Sequence, residues 1–439
     1  MPPRPLLTTA PAFLVGFAFG LGKIIRDCSL TCNVGFELAP LAMLSVALLT
    51  VPLSSALLRG SASLGFGRFA ARVAGAVALG FLAFRLATWG LAERVDALRA
   101  VYLGFFVWLG AVGALLGPTV KRGVAELHRP ATRAAAFAWS TAAFVGGAVV
   151  GSLVAKLLVP WLEATFGLGY MAARDDLMLL IALCMLAFAL VLQRVARLSE
   201  PGSPTRDDAM AEALPADDEM ESLHVAARVI RETPVLRRLA GVIFATGVAE
   251  SLAGFLFYWV VTLEVEHADG RTSFFADFQL WLNGGTFLLL LTGSNRILDR
   301  FGLAIGIATM PLALAFGTTF VVAQLTLTSI YVVRMLEGIL EQSVYGQGLD
   351  RAVFSVPTPH AESVRPVLLG LMERLGRGVG AIVVFTGYVG FSMALRPTAV
   401  LYLAVLVAWF LGAISLRHQL PRPHETQSRV RPTQGSTEP

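Results

Sequence analysis

Twelve long apolar runs, separated by short charged or proline-containing segments, dominate the hydrophobic pattern of this chain. Each run can supply the helix of about 20 residues that crosses a hydrocarbon core about 30 Å thick. The predicted ranges are 11–30, 36–58, 69–92, 98–120, 132–158, 174–197, 238–263, 274–295, 302–325, 327–346, 366–392 and 396–417. The pattern therefore predicts an all-α membrane protein with about twelve transmembrane helices.

Composition agrees with that pattern and excludes a soluble fold. Hydrophobic residues make up 56% of the 439 residues and charged residues only 15%, whereas soluble domains carry about a quarter charged residues. The net charge is +5, but the arginines lie in short segments between apolar runs and form no basic stripe. We therefore expect no nucleic-acid partner.

One polar segment divides the twelve runs into six and six. Residues 199–236 interrupt the apolar pattern with prolines and acidic residues, a composition that is typical of a linker. We predict an N-terminal six-helix half-bundle at 1–198, a cytoplasmic linker at 199–236, a C-terminal six-helix half-bundle at 237–418 and a disordered cytoplasmic tail at 419–439.

Basic residues in the short loops predict the orientation, because lysine and arginine resist translocation. With a cytoplasmic N-terminus, eleven basic residues fall in inside loops and five in outside loops. The five are Arg94, Arg99, Arg174, Arg271 and Arg396. This bias predicts that both termini are cytoplasmic. The first apolar run lacks a clean cleavage site, so we expect a retained helix there.

Small residues recur at a spacing of four inside several runs. Helices in lipid associate through close backbone approach at such positions. The pairs are Gly16 with Gly20, Gly113 with Gly117, Gly147 with Gly151 and Gly376 with Gly380. We interpret them as helix-packing positions.

Ionisable side chains inside the predicted spans are the strongest functional signal. Each costs about 2.5–3.5 kcal/mol at a helix centre, so it is expected to face protein or water and to mark a substrate or ion pathway. On the first helix, Lys23, Arg26 and Asp27 share one face. A cluster that snorkels to the membrane surface is the alternative interpretation. The third helix carries Arg85.

The C-terminal runs carry more such groups. Arg334, Glu337 and Glu341 occupy one face of the tenth helix, and Glu373 with Arg377 forms a favourable i, i+4 pair on the eleventh. Candidate substrate or cavity residues are Lys23, Arg26, Asp27, Arg85, Asn283, Arg334, Arg374 and Arg377. Candidate proton carriers are Glu250, Glu337, Glu341 and Glu373. Burial favours the neutral form of such carboxyl groups. A purely structural salt-bridge network is the alternative.

Enzyme and metal motifs are missing from the sequence. It contains no G-x-x-x-x-G-K-[ST] phosphate loop and no H-E-x-x-H pair. Cys28, Cys32 and Cys184 offer neither a disulfide framework nor metal-ligand spacing. We therefore expect no enzymatic activity, no cofactor and no metal.

The segment after the eighth run resembles the G-x-x-x-D-R-x-G loop of the major facilitator superfamily. It reads from Asn295 through Asp299 and Arg300 to Gly302. The resemblance implies two six-helix repeats around a midplane site and makes these four residues a candidate conformational loop. We place the expected central cavity between the first, fourth, seventh and tenth helices.

Three stretches resemble the bacterial and plastid nucleotide (ATP/ADP) translocase family, a branch of the same fold. They are Lys23-Ile-Ile-Arg26-Asp27, Phe105-Phe-Val-Trp108-Leu, and residues 331–380 with Arg334, Glu337, Tyr345, Arg351, Glu373, Arg374 and Arg377. The resemblance implies a divergent member that moves a small anionic solute, with nucleotides as one candidate class.

The resemblance also implies a setting and a mechanism. We expect a monomeric secondary active transporter in the inner membrane of a bacterium, with a small anionic solute and the lipid bilayer as its partners. Two alternatives stay open: a non-transporting sensor or scaffold on the same fold, and a flippase for lipids or amphiphiles.

Overall fold

The computed structural model describes residues 6–64, 66–127, 130–198, 219–356, 364–365 and 367–420. Regular structure within these ranges is helical and contains no strand, which confirms the predicted all-α membrane fold. Most of the predicted linker and nearly all of the predicted tail lie outside the described residues.

Six long helices occupy the first half of the chain. They are α1 (Leu6–Ser29), α2 (Ala39–Leu64), α3 (Phe66–Gly90), α4 (Val95–Leu127), α5 (Pro130–Phe166) and α6 (Tyr170–Leu198). Between α1 and α2 the chain forms a π-helical turn at Leu30–Val34 and a 3-10 turn at Phe36–Leu38. Gly35 separates the two turns with a φ of +99°, a conformation that glycine adopts without steric cost.

Nine further α-helices are described between residues 219 and 420. They are α7 (Glu219–Glu232), α8 (Pro234–Glu264), α9 (Ala268–Thr292), α10 (Ser294–Phe301), α11 (Leu303–Ala323), α12 (Leu327–Leu340), α13 (Gly346–Ser355), α14 (Glu373–Phe385) and α15 (Leu395–Ser415). Helix α7 lies inside the range that was predicted as a linker. π-Helical turns join or flank these helices at Glu341–Tyr345, Val367–Met372 and Thr386–Gly390.

Within the described ranges, eight helices are long and apolar enough to cross a membrane, and a bent pair at Thr9–Val34 and Phe36–Thr50 brings the number to nine. Two further predicted spans, 327–346 and 366–392, are helical but contain π-helical turns, which shorten their continuous α-helix. The twelve predicted ranges are thus helical over most of their described length.

The described residues group into two compact units. The first unit lies within Met1–Ala216, Gly254–Phe287 and Ala381–Ser392, and the second within Asp217–Ala253, Leu288–Gly380 and Met393–Pro439. In the first unit α1 packs on α5, α6 and α4, and α3 packs on α6. In the second unit α11 packs on α12, α13 and α15. The half-bundle boundaries at 198 and 237 stay a prediction.

Glycines make the closest helix contacts in both units. A Cβ at Gly147 of α5 would overlap the Phe13 carbonyl oxygen of α1, and one at Gly16 of α1 would overlap the backbone of α5. In the second unit, Gly247 of α8 and Gly376 of α14 each face the backbone of the other helix at similarly close range. The packing role predicted for the spacings at Gly16, Gly147 and Gly376 is therefore present.

The predicted conformational loop is a short helix instead of a loop. Residues 294–301 form α10, which ends at Gly302 with a φ of +87°. The helix forms because Ile297 and Leu298 place apolar side chains on one side while Asp299 and Arg300 are exposed, an amphipathic pattern. The side chain of Asn295 is outside the described structure.

Candidate functional site

Asp27 is the centre of a polar network in the first unit. Its side chain is buried, and its Oδ1 accepts hydrogen bonds from Arg26 Nε at 2.8 Å and from the Tyr258 hydroxyl at 2.8 Å. The Arg26 guanidinium also lies 4.8 Å from the centroid of the Phe106 ring, within cation–π range. Asp27 is therefore paired with a cation and a hydroxyl, and α1 is joined to α8.

Lys23 shares this end of α1 but is oriented toward an aromatic neighbour. Its Nζ lies 5.8 Å from the centroid of the Phe19 ring. The predicted face of Lys23, Arg26 and Asp27 thus holds one carboxylate and two cations, with the carboxylate bonded to Arg26.

Arg174 was counted among the outside charges and also begins the predicted run 174–197, and the structure places it within a helix. It is fully buried one turn into α6, where Nε and Nη2 donate to Asp175 Oδ1 at 2.9 and 2.7 Å. Tyr102 of α4 donates its hydroxyl to Asp175 Oδ2 at 2.5 Å and accepts from Arg174 Nη2 at 3.1 Å. A buried guanidinium persists because a carboxylate and a hydroxyl both contact it.

Arg99 and Arg271 were also predicted as outside-loop charges, and both lie within helices. Arg99 Nε donates to the Val34 carbonyl at 2.8 Å, and Arg271 Nη1 donates to the Thr31 carbonyl at 2.5 Å. Both carbonyls belong to the π-helical turn after α1. These arginines bind the backbone where the turn leaves carbonyls unpaired, so they stabilise the chain reversal.

Arg85 and Asn283, both predicted as cavity residues, are hydrogen-bonded to neighbouring protein groups. Arg85 Nε donates to Asp176 Oδ1 of α6 at 2.6 Å. Asn283 is buried and donates its amide to the Gln279 carbonyl of its own helix at 2.7 Å. These contacts are typical of side chains that stabilise helix packing.

The second unit contains what we call the α14 carboxylate cluster: Glu250, Glu341, Glu373 and Arg377. Arg377 Nε pairs with Glu250 of α8, while Nη2 lies 2.7 Å from Glu373 Oε1 and 3.9 Å from Glu341 Oε1. The predicted pairing of Glu373 with Arg377 is therefore present. Three helical segments meet at this one guanidinium.

Arg334 and Glu337 form a second ion pair in the same unit. Arg334 Nη1 donates to Glu337 Oε2, and the Glu337 side chain is fully buried. The other oxygen, Oε1, is buried and has no hydrogen-bond partner among the described residues. An unpaired oxygen of a buried carboxyl is costly when it is ionised.

The charges in this region do not balance. Arg374, partly buried on the neighbouring side of α14, adds a third positive charge beside Glu373. Four carboxyl groups therefore face three guanidinium groups: the fourth carboxyl is that of Glu337. Like charges at close range disfavour joint ionisation, so one bound proton would make the group neutral.

Carboxylate oxygens of Glu250, Glu341 and Glu373 lie within 4.8 Å of one another, a spacing that suits a cation. The Arg377 guanidinium already contacts all three groups. The positive charge here is supplied by the protein, and we infer no metal site.

The predicted conformational residues of α10 and its flank are linked to α13. Asp299 Oδ1 accepts from Arg351 Nη1 at 2.8 Å, and Ser294 donates to Gln347 Oε1 at 3.1 Å. The Arg300 guanidinium lies 5.6 Å from the ring centroid of Phe301. The Asp299–Arg351 pair is exposed, so it contributes about 0–1 kcal/mol to stability.

The sequence did not reveal Tyr258 as a partner of Asp27, nor the separate buried group of Tyr102, Arg174 and Asp175. The tyrosines give no periodic signal. The three consecutive charges Arg174, Asp175 and Asp176 did give a sequence signal. They stand at the start of an apolar run, where charged residues can lie inside the helix as well as before it.

No protein-family model matches the chain, and no curated protein sequence matches it. Solved structures do match. A bacterial homolog of the human lysosomal transporter Spinster, in an inward-facing conformation, has a TM-score of 0.56 at 15% identity and covers 95% of this chain and 99% of its own. The inward-open xylose transporter XylE from E. coli has a TM-score of 0.60 at 13% identity and covers 97% and 98%.

The E. coli fucose:proton symporter FucP matches with a TM-score of 0.57 at 12% identity and covers 95% and 98%. FucP is described as a major facilitator superfamily transporter. This chain has the major facilitator fold. The predicted fold class is therefore correct. None of these three structures is a nucleotide translocase, so that resemblance stays a sequence-based hypothesis.

Proposed function

We propose that this chain is a proton-coupled secondary active transporter whose α14 carboxylate cluster links proton binding to solute binding. The observation that carries the proposal is the contact of the single Arg377 guanidinium with three carboxyl groups. The major facilitator fold supports alternating access between two half-bundles.

Arg377 is the proposed point of coupling. While Glu250 and Glu373 are ionised, they bind the guanidinium and compete with any anionic solute for it. A proton on Glu250 removes that competing charge, and Arg377 can then donate to the solute. Proton binding and solute binding thus favour each other, and linkage requires that the effect be reciprocal.

The proposed solute is a small anion, with nucleotides as one class to test. In the second unit Arg334, Arg374 and Arg377 are the proposed contacts of the solute. Lys23 and Arg26 of the first unit remain candidate anion contacts from the sequence. Arg26, Arg334 and Arg377 already have acidic partners, so solute binding requires those partners to be displaced or protonated. The chain is proposed to act as a monomer in a bacterial inner membrane, with both termini cytoplasmic.

Uptake by purified protein in proteoliposomes tests the proposal. Labelled nucleotides, phosphates and organic anions are offered with an inward proton gradient, with no gradient, and with unlabelled solute inside. We expect uptake of at least one anion to increase with the gradient, and the apparent affinity to rise by up to about tenfold per unit fall in pH for one coupled proton.

Glu250→Gln is the decisive variant, since it mimics the protonated carboxyl. We expect it to bind the anion at high pH as well as at low pH and to lose stimulation by the gradient. Glu232→Gln, at an exposed position on α7, is the matched control and should behave as wild type.

The outcomes separate the competing functions. Gradient-stimulated uptake that persists in Glu250→Gln would contradict the coupling role while retaining transport. Silence across the anion panel, with no gradient effect, would favour the sensor or scaffold. Movement of a labelled lipid between leaflets without anion uptake would favour the flippase.

A further inference from the structure

Two of the three cysteines lie together at the end of α1. Cys28 Sγ and Cys32 Sγ are 3.3 Å apart, and both are free thiols. A helical separation of four residues places their Cα atoms about 6 Å apart, within the range that a disulfide spans. Their positions therefore allow a disulfide bond between them, which their spacing in the sequence did not indicate.

The two thiols have different surroundings. Cys28 is fully buried and contacts Thr272 Oγ1 of α9 at 2.9 Å and Arg174 Nη1 of α6 at 3.4 Å. Cys32 is partly exposed. A guanidinium beside a thiol favours the thiolate, which is the reactive form. Cys32 is thus the accessible thiol, and Cys28 is the activated one behind it.

The local backbone supports access and movement. Cys32 lies in the π-helical turn Leu30–Val34, and the helix axis bends by 115° between this segment and the next. The chain therefore changes direction sharply at this point, and the partly exposed Cys32 lies in the turn. A π-helical turn followed by Gly35 is also wider and less regular than an α-helix, so the two sulfurs can approach.

We propose that Cys28 and Cys32 form a redox-active dithiol that is oxidised to a disulfide by low-molecular-weight disulfides. The Cys32 sulfur attacks one sulfur of the reagent and gives up its proton, the S–S bond of the reagent breaks, and one reagent thiol leaves with that proton. The Cys28 thiolate then attacks Cys32, the Cys28–Cys32 bond forms, and the second reagent thiol leaves. Two cysteines are oxidised and one reagent disulfide is reduced to two thiols.

Oxidation changes the contacts of α1. In a disulfide the Cys28 sulfur has no proton to donate to Thr272 and no negative charge to attract Arg174, whichever of the two forms it had before oxidation. The disulfide therefore weakens the links from α1 to α6 and α9 within the first unit. The oxidation state of the two cysteines therefore controls how strongly this end of α1 is bound to α6 and α9.

The test uses the purified full-length protein and oxidised glutathione. After brief exposure, free thiols are blocked with N-ethylmaleimide and the digest is analysed by mass spectrometry. We expect the peptide with Cys28 and Cys32 to lose two hydrogens and no longer to accept the blocking reagent, reversibly with dithiothreitol. Cys184, which has no guanidinium contact among the described residues, should react about tenfold more slowly.

Two variants test the order of steps. Cys28→Ser removes the resolving thiol, so a glutathione adduct should accumulate on Cys32. Cys32→Ser removes the accessible thiol, so Cys28 should stay free over the same time. Detergent-unfolded wild type, in which all three thiols react equally, controls for intrinsic reactivity.

The wild-type protein alone can overturn the proposal, so misfolding of a variant does not weaken the test. A stable glutathione adduct on Cys32 without loss of Cys28 would show that Cys28 does not resolve it. Modification of Cys184 while Cys28 and Cys32 both remain free would show that the pair is not reactive.

Discussion

The polar network around α1 and the α14 carboxylate cluster both bury charge, but they balance it differently. Around α1, Asp27 and Asp175 each have one guanidinium partner and one tyrosine hydroxyl donor. In the α14 cluster, one guanidinium of Arg377 serves three carboxyl groups. Each carboxylate of the first network has its own guanidinium partner, whereas three carboxyl groups of the second share one guanidinium.

This difference indicates which of the two groups of buried charges can change its charge by binding a proton. A buried carboxylate with its own cation is held in one arrangement, because removing either partner leaves an uncompensated charge. A region with excess carboxyl groups can take up a proton and become more stable. A structural role for the α1 network and the proposed coupling role for the α14 cluster both agree with this difference.

Removal of Arg377 should have the largest effect on function. In Arg377→Gln the carboxyl groups of Glu250, Glu341 and Glu373 lose their shared cation, and we expect uptake to fall about 100-fold or more, which corresponds to roughly 3 kcal/mol. Arg377→Lys keeps the positive charge but cannot donate to three groups as the planar guanidinium does. We therefore expect it to retain only part of the activity.

Initial uptake rates in proteoliposomes measure this effect. Arg396→Gln, at an exposed position of α15, is the matched control. If Arg377→Gln transports at the wild-type rate, the cluster is a packing feature and the contrast with the α1 network disappears.

Removal of Arg174 should have the largest effect on stability. Arg174→Gln leaves Asp175 buried and without its cation, which costs about 3–5 kcal/mol. We expect this loss in the free energy of unfolding, measured by detergent titration in mixed micelles. Arg94→Gln, at an exposed position between α3 and α4, should change it by no more than about 0.5 kcal/mol. Equal values for the two variants would refute the structural role.

A methyl group at the α1–α5 contact should cost less. Gly147→Ala places a Cβ against the Phe13 carbonyl of α1, and such overpacking costs about 1–3 kcal/mol. Gly75→Ala is the control, because a Cβ there meets nothing within 4 Å, and it should stabilise α3 by about 0.5–1 kcal/mol. A stabilised Gly147→Ala variant would contradict the close approach.

The smallest effect is expected at Tyr258. Tyr258→Phe removes the hydroxyl that donates to Asp27 Oδ1 but leaves the Arg26 pair, so we expect a loss of about 1–2 kcal/mol. Tyr388→Phe is the control, because the described contacts of Tyr388 are ring contacts. The same detergent titration measures both variants. If Tyr388→Phe loses as much stability as Tyr258→Phe, the hydrogen bond from Tyr258 to Asp27 does not stabilise the fold as proposed.

Sequence analysis located the charged residues of the α14 cluster but not their arrangement. The i, i+4 spacing of Glu373 and Arg377 predicts their pairing, because both lie on one helix face. Nothing in the spacing indicates that Glu250, more than 120 positions away, contacts the same guanidinium. Arg174 was counted among the outside charges because a loop count cannot detect a buried cation.

The sequence by itself determined the membrane-spanning helices, since the length and apolarity of a span follow from the thickness of the bilayer. It also determined the glycine positions at which helices can approach. Only the tertiary structure decided which charges meet, because a buried ion pair depends on the partner that packing brings within reach. The tertiary structure also brings Cys28 into contact with both Cys32 and Arg174, and no spacing in the sequence predicts the contact with Arg174.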